Sequence, residues 1–244
     1  MRDLCVPISF QRKPSSSSSF AFLKDGPFAV APPSVNSLIE ERATLTQAAG
    51  LRPLWEGYRA VYGAGDRKGA GNFKRTSNDV RTTRGAGAFY GWLVQFTRPN
   101  TIVEIGTAFG ISGMYWLSGV EANGFGTLYT FDPNEDWREL ALQNLNAIGT
   151  RFVSTLGTFE EAYIDVIPAD ARVDLAFIDA IHTSAFVNAQ FEILRGRSRS
   201  GSVIVLDDIR FSTDMYDCWT KLAQANGCLA SFEVGSRVGV LEIS

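Results

Sequence analysis

The stretch Val103-Glu104-Ile105-Gly106-Thr107-Ala108-Phe109-Gly110 is the most informative about the fold, because it joins a short apolar run to a segment of helical character that begins at Ile111. Glycines at positions 106 and 110 allow a tight turn and let a ligand approach the main chain at the helix N-terminus. The Glu104 carboxylate can accept hydrogen bonds from a ligand amine or hydroxyl. The spacing E-x-G-x-x-x-G differs from the G-x-G-x-x-G dinucleotide fingerprint and therefore disfavours NAD and FAD.

Short runs of β-type residues recur after Pro99, and helical patterns separate the first five of them. This alternation is typical of a parallel sheet that is covered on both faces. Gly235-Ser236-Arg237 joins the last two runs and is short enough for a hairpin. The sequence therefore predicts an α/β fold with a doubly wound, seven-stranded, mostly parallel sheet and an antiparallel C-terminal hairpin. The runs are 101–105, 127–131, 152–155, 173–178, 202–206, 229–234 and 238–243.

Length and composition fit one α/β domain with an accessory segment, since 45% of the 244 residues are hydrophobic and 20% are charged. We expect residues 1–33 to form a poorly ordered leader and residues 34–98 to form an N-terminal helical lid segment. The ligand-binding domain should then comprise residues 99–244.

The charge pattern limits the classes of partner. A net charge of −3 lacks the basic excess of a nucleic-acid binder, and no apolar run reaches the roughly 20 residues of a membrane span. Residues 63–87 nevertheless carry six basic and two acidic side chains. They form either a solvated loop or a mobile lid over an anionic or polar ligand. The three cysteines show no C-x-x-C spacing, which favours a reducing cytoplasm.

Asp132 ends the second β-type run, about 20 residues beyond the glycine turn, where an acid commonly binds ribose hydroxyls. A strand-end turn with Pro133 and Asn134 is the alternative.

Three further acids follow the fourth and fifth runs: Asp179, Asp207 and Asp208. If those strands are neighbours, the carboxyl groups meet at the C-terminal edge of the sheet, where such folds bind ligands. Their mutual repulsion would be relieved by a hard divalent ion such as Mg²⁺. Alternatively, Asp207 caps the strand end and Asp208 faces water.

His182 is the only histidine and lies three residues after Asp179. A lone histidine is often structural. Beside a metal site it is also a candidate general base, because a neutral imidazole can take a hydroxyl proton near pH ~7.

Together these motifs resemble the class I S-adenosylmethionine-dependent methyltransferases. The similarity is greatest to the metal-dependent branch with catechol, caffeoyl-CoA and bacterial sugar O-methyltransferases. It extends from Thr76 to Ser244. It rests on Thr76-Ser77 ahead of a helix, the turn from Glu104 to Gly110, Asp132, Phe177-Ile178-Asp179, Asp207-Asp208 and the closing strand Arg237-Val238-Gly239-Val240.

This resemblance implies a Rossmann-like methyltransferase fold in which residues 99–244 bind S-adenosylmethionine. It implies that Asp179, Asp207 and Asp208 hold Mg²⁺ or another divalent cation. In catechol-type enzymes a lysine stands three residues after the first metal acid and is thought to be the base. Here His182 stands there, which leaves the base open between His182 and Asp179. The implied cofactor-binding residues are Thr76, Ser77, Glu104, Gly106, Thr107, Gly110, Ser112, Asp132, Gly157, Thr158, Phe159 and Asp179.

The expected function is methyl transfer to a hydroxyl of a small-molecule or glycan acceptor. A carbohydrate, such as a deoxysugar of a bacterial glycan or lipo-oligosaccharide, is preferred by analogy. A catechol-type aromatic acceptor and a non-catalytic cofactor-binding module are the alternatives, and an NAD-dependent oxidoreductase is disfavoured by the glycine spacing. No nucleic-acid partner and no membrane span are expected, and the sequence leaves open whether the chain forms a homodimer.

Overall fold

The computed structural model describes residues 4–25, 28–62 and 73–244. Its centre is an eight-stranded sheet in the order β2-β11-β12-β10-β9-β6-β7-β8. The strands of this sheet are β2 (Ile8–Arg12), β6 (Thr101–Ile105), β7 (Thr127–Asp132), β8 (Phe152–Leu156), β9 (Val173–Ile178), β10 (Ser198–Leu206), β11 (Cys228–Val234) and β12 (Val238–Ile243).

Two small antiparallel pairs lie outside this sheet, β1 (Leu4–Val6) with β3 (Phe28–Val30) and β4 (Arg52–Pro53) with β5 (Lys74–Arg75). A 3₁₀ helix spans Ala21–Asp25. The α-helices are α1 (Asn36–Ala48), α2 (Glu56–Tyr62), α3 (Ser77–Val80), α4 (Arg84–Thr97), α5 (Ile111–Asn123), α6 (Glu135–Asn146), α7 (Phe159–Val166), α8 (Ser184–Arg197) and α9 (Thr213–Gln224). Among the described residues, no helix is both long enough and apolar enough to cross a membrane.

The central strands of the sheet are buried on both faces, as their near-continuous apolar sequences predict. Successive residues of β6 point to opposite faces, so Ile102 joins one core cluster and Val103 joins the other. Tyr90 of α4 stacks on Trp116 of α5 on the first face, with ring centroids 4.2 Å apart. Helices α7, α8 and α9 contribute to the core on the second face.

The strand order sets the position of the site. From β6 the parallel strands run outward to β7 and β8 on one side and to β9 and β10 on the other. The chain thus reverses its direction across the sheet between β6 and β9. Open α/β sheets bind ligands at the carboxyl ends of the strands beside such a switch point.

The predicted fold class is confirmed, including the antiparallel hairpin of β11 and β12. The structure adds an eighth strand, β2, which pairs antiparallel with β11. Phe20 is fully buried and its ring lies 5.2 Å from that of Phe232. The expectation of a poorly ordered leader is therefore wrong for the described residues up to position 33, because this segment covers the open edge and one face of the sheet. Residues 63–72 of the predicted lid lie outside the described residues.

Candidate functional site

The glycine turn after β6 is shaped by close packing against β9. Gly106 has φ of 101°, and a Cβ atom there would lie 2.1 Å from the carbonyl oxygen of Asp179. The backbone N–H groups of Gly106 and Thr107 both donate to the carbonyl of Phe131, at 2.9 and 3.2 Å. Gly110, with φ of 79°, precedes the first residue of α5. The sequence pattern at this turn therefore reflects a backbone that only glycine fits at position 106.

Glu104 lies beneath this turn and is fully buried. Its Oε1 accepts a hydrogen bond from Ser112 Oγ at 2.6 Å, and its Oε2 accepts one from Thr130 Oγ1 at 2.7 Å. Thr107 in turn hydrogen-bonds Thr130. Burial raises the pKa of Glu104 to about 7 despite these two hydroxyl donors. Glu104, Ser112 and Thr107 thus support the glycine turn through a buried network of side-chain hydrogen bonds.

Asp132 connects the end of β7 to the glycine turn. Its Oδ2 accepts a hydrogen bond from Ala108 N at 2.7 Å, and its Oδ1 accepts one from Asn134 N at 2.8 Å. Burial raises the pKa of Asp132 to about 6. Each carboxylate oxygen can accept a further hydrogen bond, so the predicted role of Asp132 in binding ligand hydroxyls stays open to it.

A cavity of about 450 Å³ lies at the carboxyl ends of the strands. This volume is within the range of small-molecule binding sites. It brings together several residues that the sequence singled out, namely Gly106, Asp132, Gly157, Thr158, Phe159, Asp179, His182 and Asp208. Ser77, Thr107 and Ser112 border a small adjoining cleft that shares Gly106 and Asp179 with the cavity.

The side chain of Thr76 is committed to a local contact. Its backbone N and Oγ1 both donate to Asp79 Oδ2, at 2.7 and 2.8 Å. Ser77 is buried and its hydroxyl donates to Gln47 of α1 at 3.3 Å. These contacts position α3 against α1, beside the cavity.

The segment after β8 forms another wall. Gly157 has φ of 151° and donates its N–H to the carbonyl of Asp132 at 3.1 Å. Thr158 Oγ1 donates to Glu161 at 2.8 Å. The ring of Phe159 meets that of Phe131 edge-on at 5.4 Å. This wall offers an apolar surface for a flat ring close to Asp132.

Gln190 of α8 lines the same cavity and was not predicted. Its Nε2 donates to Glu160 Oε1 at 2.8 Å, which orients the amide. Among the described residues its Oε1 finds no hydrogen-bond partner, although the side chain is 2% exposed. A buried acceptor without a donor is costly unless a ligand supplies one. A ligand donor bound against the wall near Phe159 would satisfy this oxygen. No local sequence motif signals Gln190.

Three residues of the predicted lid segment (34–98) line another side of the cavity and were also not predicted: Trp55, Tyr58 and Arg81. Asn134 Nδ2 donates to the carbonyl of Pro53 at 3.0 Å and ties this segment to the turn after β7. Arg81 pairs with Glu40 of α1 at 2.7 Å. Residues of the predicted lid segment thus line the cavity, while their role as a lid stays a prediction.

The acidic corner, which we define as Asp179, Asp207, Asp208 and Arg237, differs from the predicted metal site. Arg237 donates from Nε to Asp207 Oδ1 at 2.9 Å and from Nη2 to Asp207 Oδ2 at 2.7 Å. Its Nε also lies 3.0 Å from Asp208 Oδ1. The three acids do come together, but both oxygens of Asp207 face the guanidinium. The prediction that Asp179, Asp207 and Asp208 hold a divalent cation does not fit this arrangement, since a cation would need the oxygens that Arg237 occupies.

Hairpin geometry explains how Arg237 reaches this position. Gly235 and Ser236 have φ of 59° and 58°, and Arg237 N bonds to the carbonyl of Val234, as in a type I′ turn. Because β12 runs antiparallel to β10, its first residues lie beside the last residues of β10. The sequence predicted the hairpin, but it did not predict the pairing of β12 with β10 that brings Arg237 next to Asp207.

His182 lies next to the acidic corner. Its Nε2 lies 3.8 Å from Asp179 Oδ1 and 3.7 Å from Asp208 Oδ2, and its ring lies 5.1 Å from that of Phe211. Burial lowers the pKa of His182, in spite of the neighbouring carboxylates. Burial, followed by the charges of Asp207 and Asp208, raises the pKa of Asp179 well above its ordinary value. A neutral imidazole next to a cavity can accept a proton at neutral pH.

Comparisons with known proteins agree with this architecture. Residues 103–209 match a protein family described as a methyltransferase domain. A relative from Mycolicibacterium smegmatis, named as a candidate O-methyltransferase, is 33% identical over an alignment of 131 residues, and the match covers 51% of this chain and 58% of that protein. The chain thus spans a little more than half the length of the curated relatives that it matches.

Solved structures of O-methyltransferases share the fold. The O-methyltransferase TomG from Streptomyces achromogenes, in complex with SAM, gives a TM-score of 0.57 at 15% identity, covering 84% of this chain and 96% of that chain. The O-methyltransferase from Bacillus cereus, in complex with SAH, gives 0.56 at 19% identity, covering 84% and 99%. The Rossmann-like methyltransferase fold and the resemblance to class I O-methyltransferases are therefore confirmed.

Proposed function

We propose that this chain, whose residues 103–209 match a methyltransferase domain family, is an S-adenosylmethionine-dependent O-methyltransferase that acts on a hydroxyl of a small acceptor. One observation carries the proposal. Asp132 and Gln190, whose side chains can bind a nucleoside, line the same cavity as His182, whose imidazole can accept a proton.

The residues present fit the cofactor. Asp132 would accept hydrogen bonds from the ribose hydroxyls, and the segment from Gly157 to Phe159 would border the adenine. Gln190 Oε1, which is buried without a donor among the described residues, would accept a hydrogen bond from the adenine amino group. The turn around Gly106 and the cleft beside it would hold the methionine portion.

Methyl transfer requires that the protein orient the cofactor and the acceptor and that it provide a base. When bound, S-adenosylmethionine supplies a methyl group on a sulfonium, and a neutral thioether remains after the methyl bonds to the acceptor oxygen. His182 accepts the hydroxyl proton at Nε2. We assign the base to His182 because burial favours its neutral form, whereas the raised pKa of Asp179 favours the protonated acid.

We further propose a carbohydrate hydroxyl as the acceptor, for example on a deoxysugar of a bacterial glycan or lipo-oligosaccharide. The polar wall residue Asn78 can bond a hydroxyl, while Phe186 and Phe211 offer faces for a sugar ring. A catechol-type ring is the competing acceptor. We also propose a cytoplasmic location, because Cys5, Cys218 and Cys228 are free thiols, which suits a reducing compartment.

A methyl-transfer screen tests the function. S-adenosylmethionine labelled in its methyl group is incubated with the protein and with panels of glycans and catechols, and label in the acceptor is counted. We expect label in a carbohydrate with the wild type, and much less label with Asp132→Ala at a cofactor concentration below saturation. Label only in catechols would show that the acceptor is an aromatic ring and not a carbohydrate. Cofactor binding without transfer to any acceptor would favour a non-catalytic module.

A further inference from the structure

We propose that Arg237 takes the place of a divalent cation in the acidic corner, so that the site works without a metal ion. This inference deepens the proposed function, since it concerns the same site. It rests on the contacts of Arg237 with Asp207 and Asp208.

The first argument is occupancy of the oxygen ligands. Asp207 has a fully buried side chain, and Arg237 engages both of its oxygens in a fork at 2.9 and 2.7 Å. Asp208 Oδ1 lies 3.0 Å from the same guanidinium. A hard cation needs such carboxylate oxygens directed at itself. It could enter only after the guanidinium had left.

The second argument is charge. A guanidinium remains protonated in proteins and is less strongly hydrated than an ammonium, so it supplies a permanent positive charge in a half-buried position. Arg237 also lines the cavity beside His182. Its charge would stabilise an acceptor oxygen bound in this cavity, because that oxygen becomes more negative as it loses its proton.

Arg237 also acts through its neighbours as a positioning residue. It holds Asp208 by Oδ1, and the other oxygen of that carboxylate, Oδ2, lies 3.7 Å from His182 Nε2. Asp207, Arg237, Asp208 and His182 therefore form one connected array from the core to the cavity. In a metal-dependent site, the ion would organise these carboxylates.

The backbone allows this side chain to be tested. Arg237 accepts a hydrogen bond from Ile209 N at its carbonyl oxygen, at 3.0 Å, and its own N–H bonds to Val234. These main-chain contacts persist when the side chain is removed. Arg237→Ala should therefore retain the hairpin while exposing the oxygens of Asp207.

Calorimetric titration of MnCl₂ into the full chain tests the inference. With the wild type we expect no saturable heat. With Arg237→Ala we expect one site, whose affinity for Mn²⁺ is at least about tenfold higher than that of the wild type because the carboxylates lose their counter-charge. Adding Asp207→Asn to Arg237→Ala should remove that site. Arg210→Ala is the matched control, because Arg210 pairs with the buried Glu233 at 2.7 Å but does not line the cavity, and it should behave as the wild type.

Two results would overturn the inference: one Mn²⁺ site in the wild type that Asp207→Asn abolishes, or no gain of binding in Arg237→Ala. If Arg237→Ala fails to fold, Arg237→Gln serves instead, and the wild-type titration by itself shows whether the corner binds a cation. The measurement needs neither acceptor nor methyl transfer. Failure of the proposed function would instead be seen as absent S-adenosylmethionine binding or turnover.

Discussion

The backbone N–H of Ala108 donates to Oδ2 of Asp132 at 2.7 Å and joins the glycine turn after β6 to the end of β7. Ala108 adopts φ of 44°, which is uncommon for a residue with a side chain. This contact means that Asp132 organises the turn as well as offering oxygens to a ligand.

Asp132→Ala should weaken S-adenosylmethionine binding at least about tenfold, or ~1.4 kcal/mol, because it removes the ligand acceptor and leaves Ala108 N–H without its partner. Calorimetry measures the affinity. Asp165→Ala, an exposed change on α7, is the control and should bind as the wild type does. Unchanged binding in Asp132→Ala would contradict the site assignment.

Gln190→Leu should weaken S-adenosylmethionine binding by about tenfold, since the variant keeps the approximate size of the side chain but loses the acceptor Oε1. An analogue with hydrogen in place of the adenine amino group should bind the wild type and the variant alike. Gln143→Leu, at an exposed position on α6, is the control. Equal loss of affinity for both ligands would argue for a packing effect instead.

His182→Asn should lower kcat by about 10²–10⁴-fold while cofactor binding remains within about twofold, because a base acts only in the chemical step. Since burial lowers the pKa of His182, wild-type activity should be constant above neutral pH and fall in acid, where the imidazole takes up a proton. Steady-state kinetics across pH values from about 5 to about 9 measure both effects. If His182→Asn kept the wild-type kcat, a group other than His182 would have to be the base.

Glu104 should make the protein less stable as the pH rises. The buried acid is stabilised in its neutral form, so its contribution is complete below the ordinary pKa of 4.5 and is lost as the pH rises through about 7. The loss amounts to about 3 kcal/mol. Glu104→Gln stays neutral and should therefore raise Tm relative to the wild type at about pH 8, by roughly 5–10 °C, with little change at about pH 4.

Thermal unfolding at the two pH values measures this difference. Glu139→Gln, at an exposed position on α6, controls for the loss of one carboxylate and should change Tm equally little at both. A Tm gain in Glu104→Gln that is the same in acid and in mild alkali would show that ionisation of Glu104 is not the cause.

Phe20→Ala should reduce the free energy of unfolding by about 3–5 kcal/mol, because the ring is fully buried against the sheet. Phe22→Ala is a matched control two residues away, where the side chain is 49% exposed, and should cost about 1 kcal/mol or less. Urea denaturation measures both. Equal, small losses would mean that the N-terminal segment does not belong to the core.

The motifs around β6 to β10 predicted much of the site because local sequence determines what they do. A glycine with positive φ after a strand, and acids at the ends of parallel strands, place their functional atoms at one edge of the sheet whatever the remaining packing. Gly106, Asp132, Asp179, His182 and Asp208 accordingly meet at the cavity. Phe20 and β2 could not be predicted in the same way, because their partners in β11 lie more than 200 residues away in the chain.

Local sequence was sufficient to specify the α/β alternation, the glycine turn and the carboxylates at the strand ends, since each depends on residues that are near one another in the chain. The charge that balances those carboxylates depends instead on long-range packing. Arg237 reaches Asp207 because the hairpin places β12 beside β10, and its guanidinium then occupies the oxygens that a cation would need. Likewise, the buried acceptor of Gln190 becomes significant only once α8 packs against α7 and excludes water from that oxygen. Pairing over long separations depends on the whole fold, so no local pattern could have revealed it.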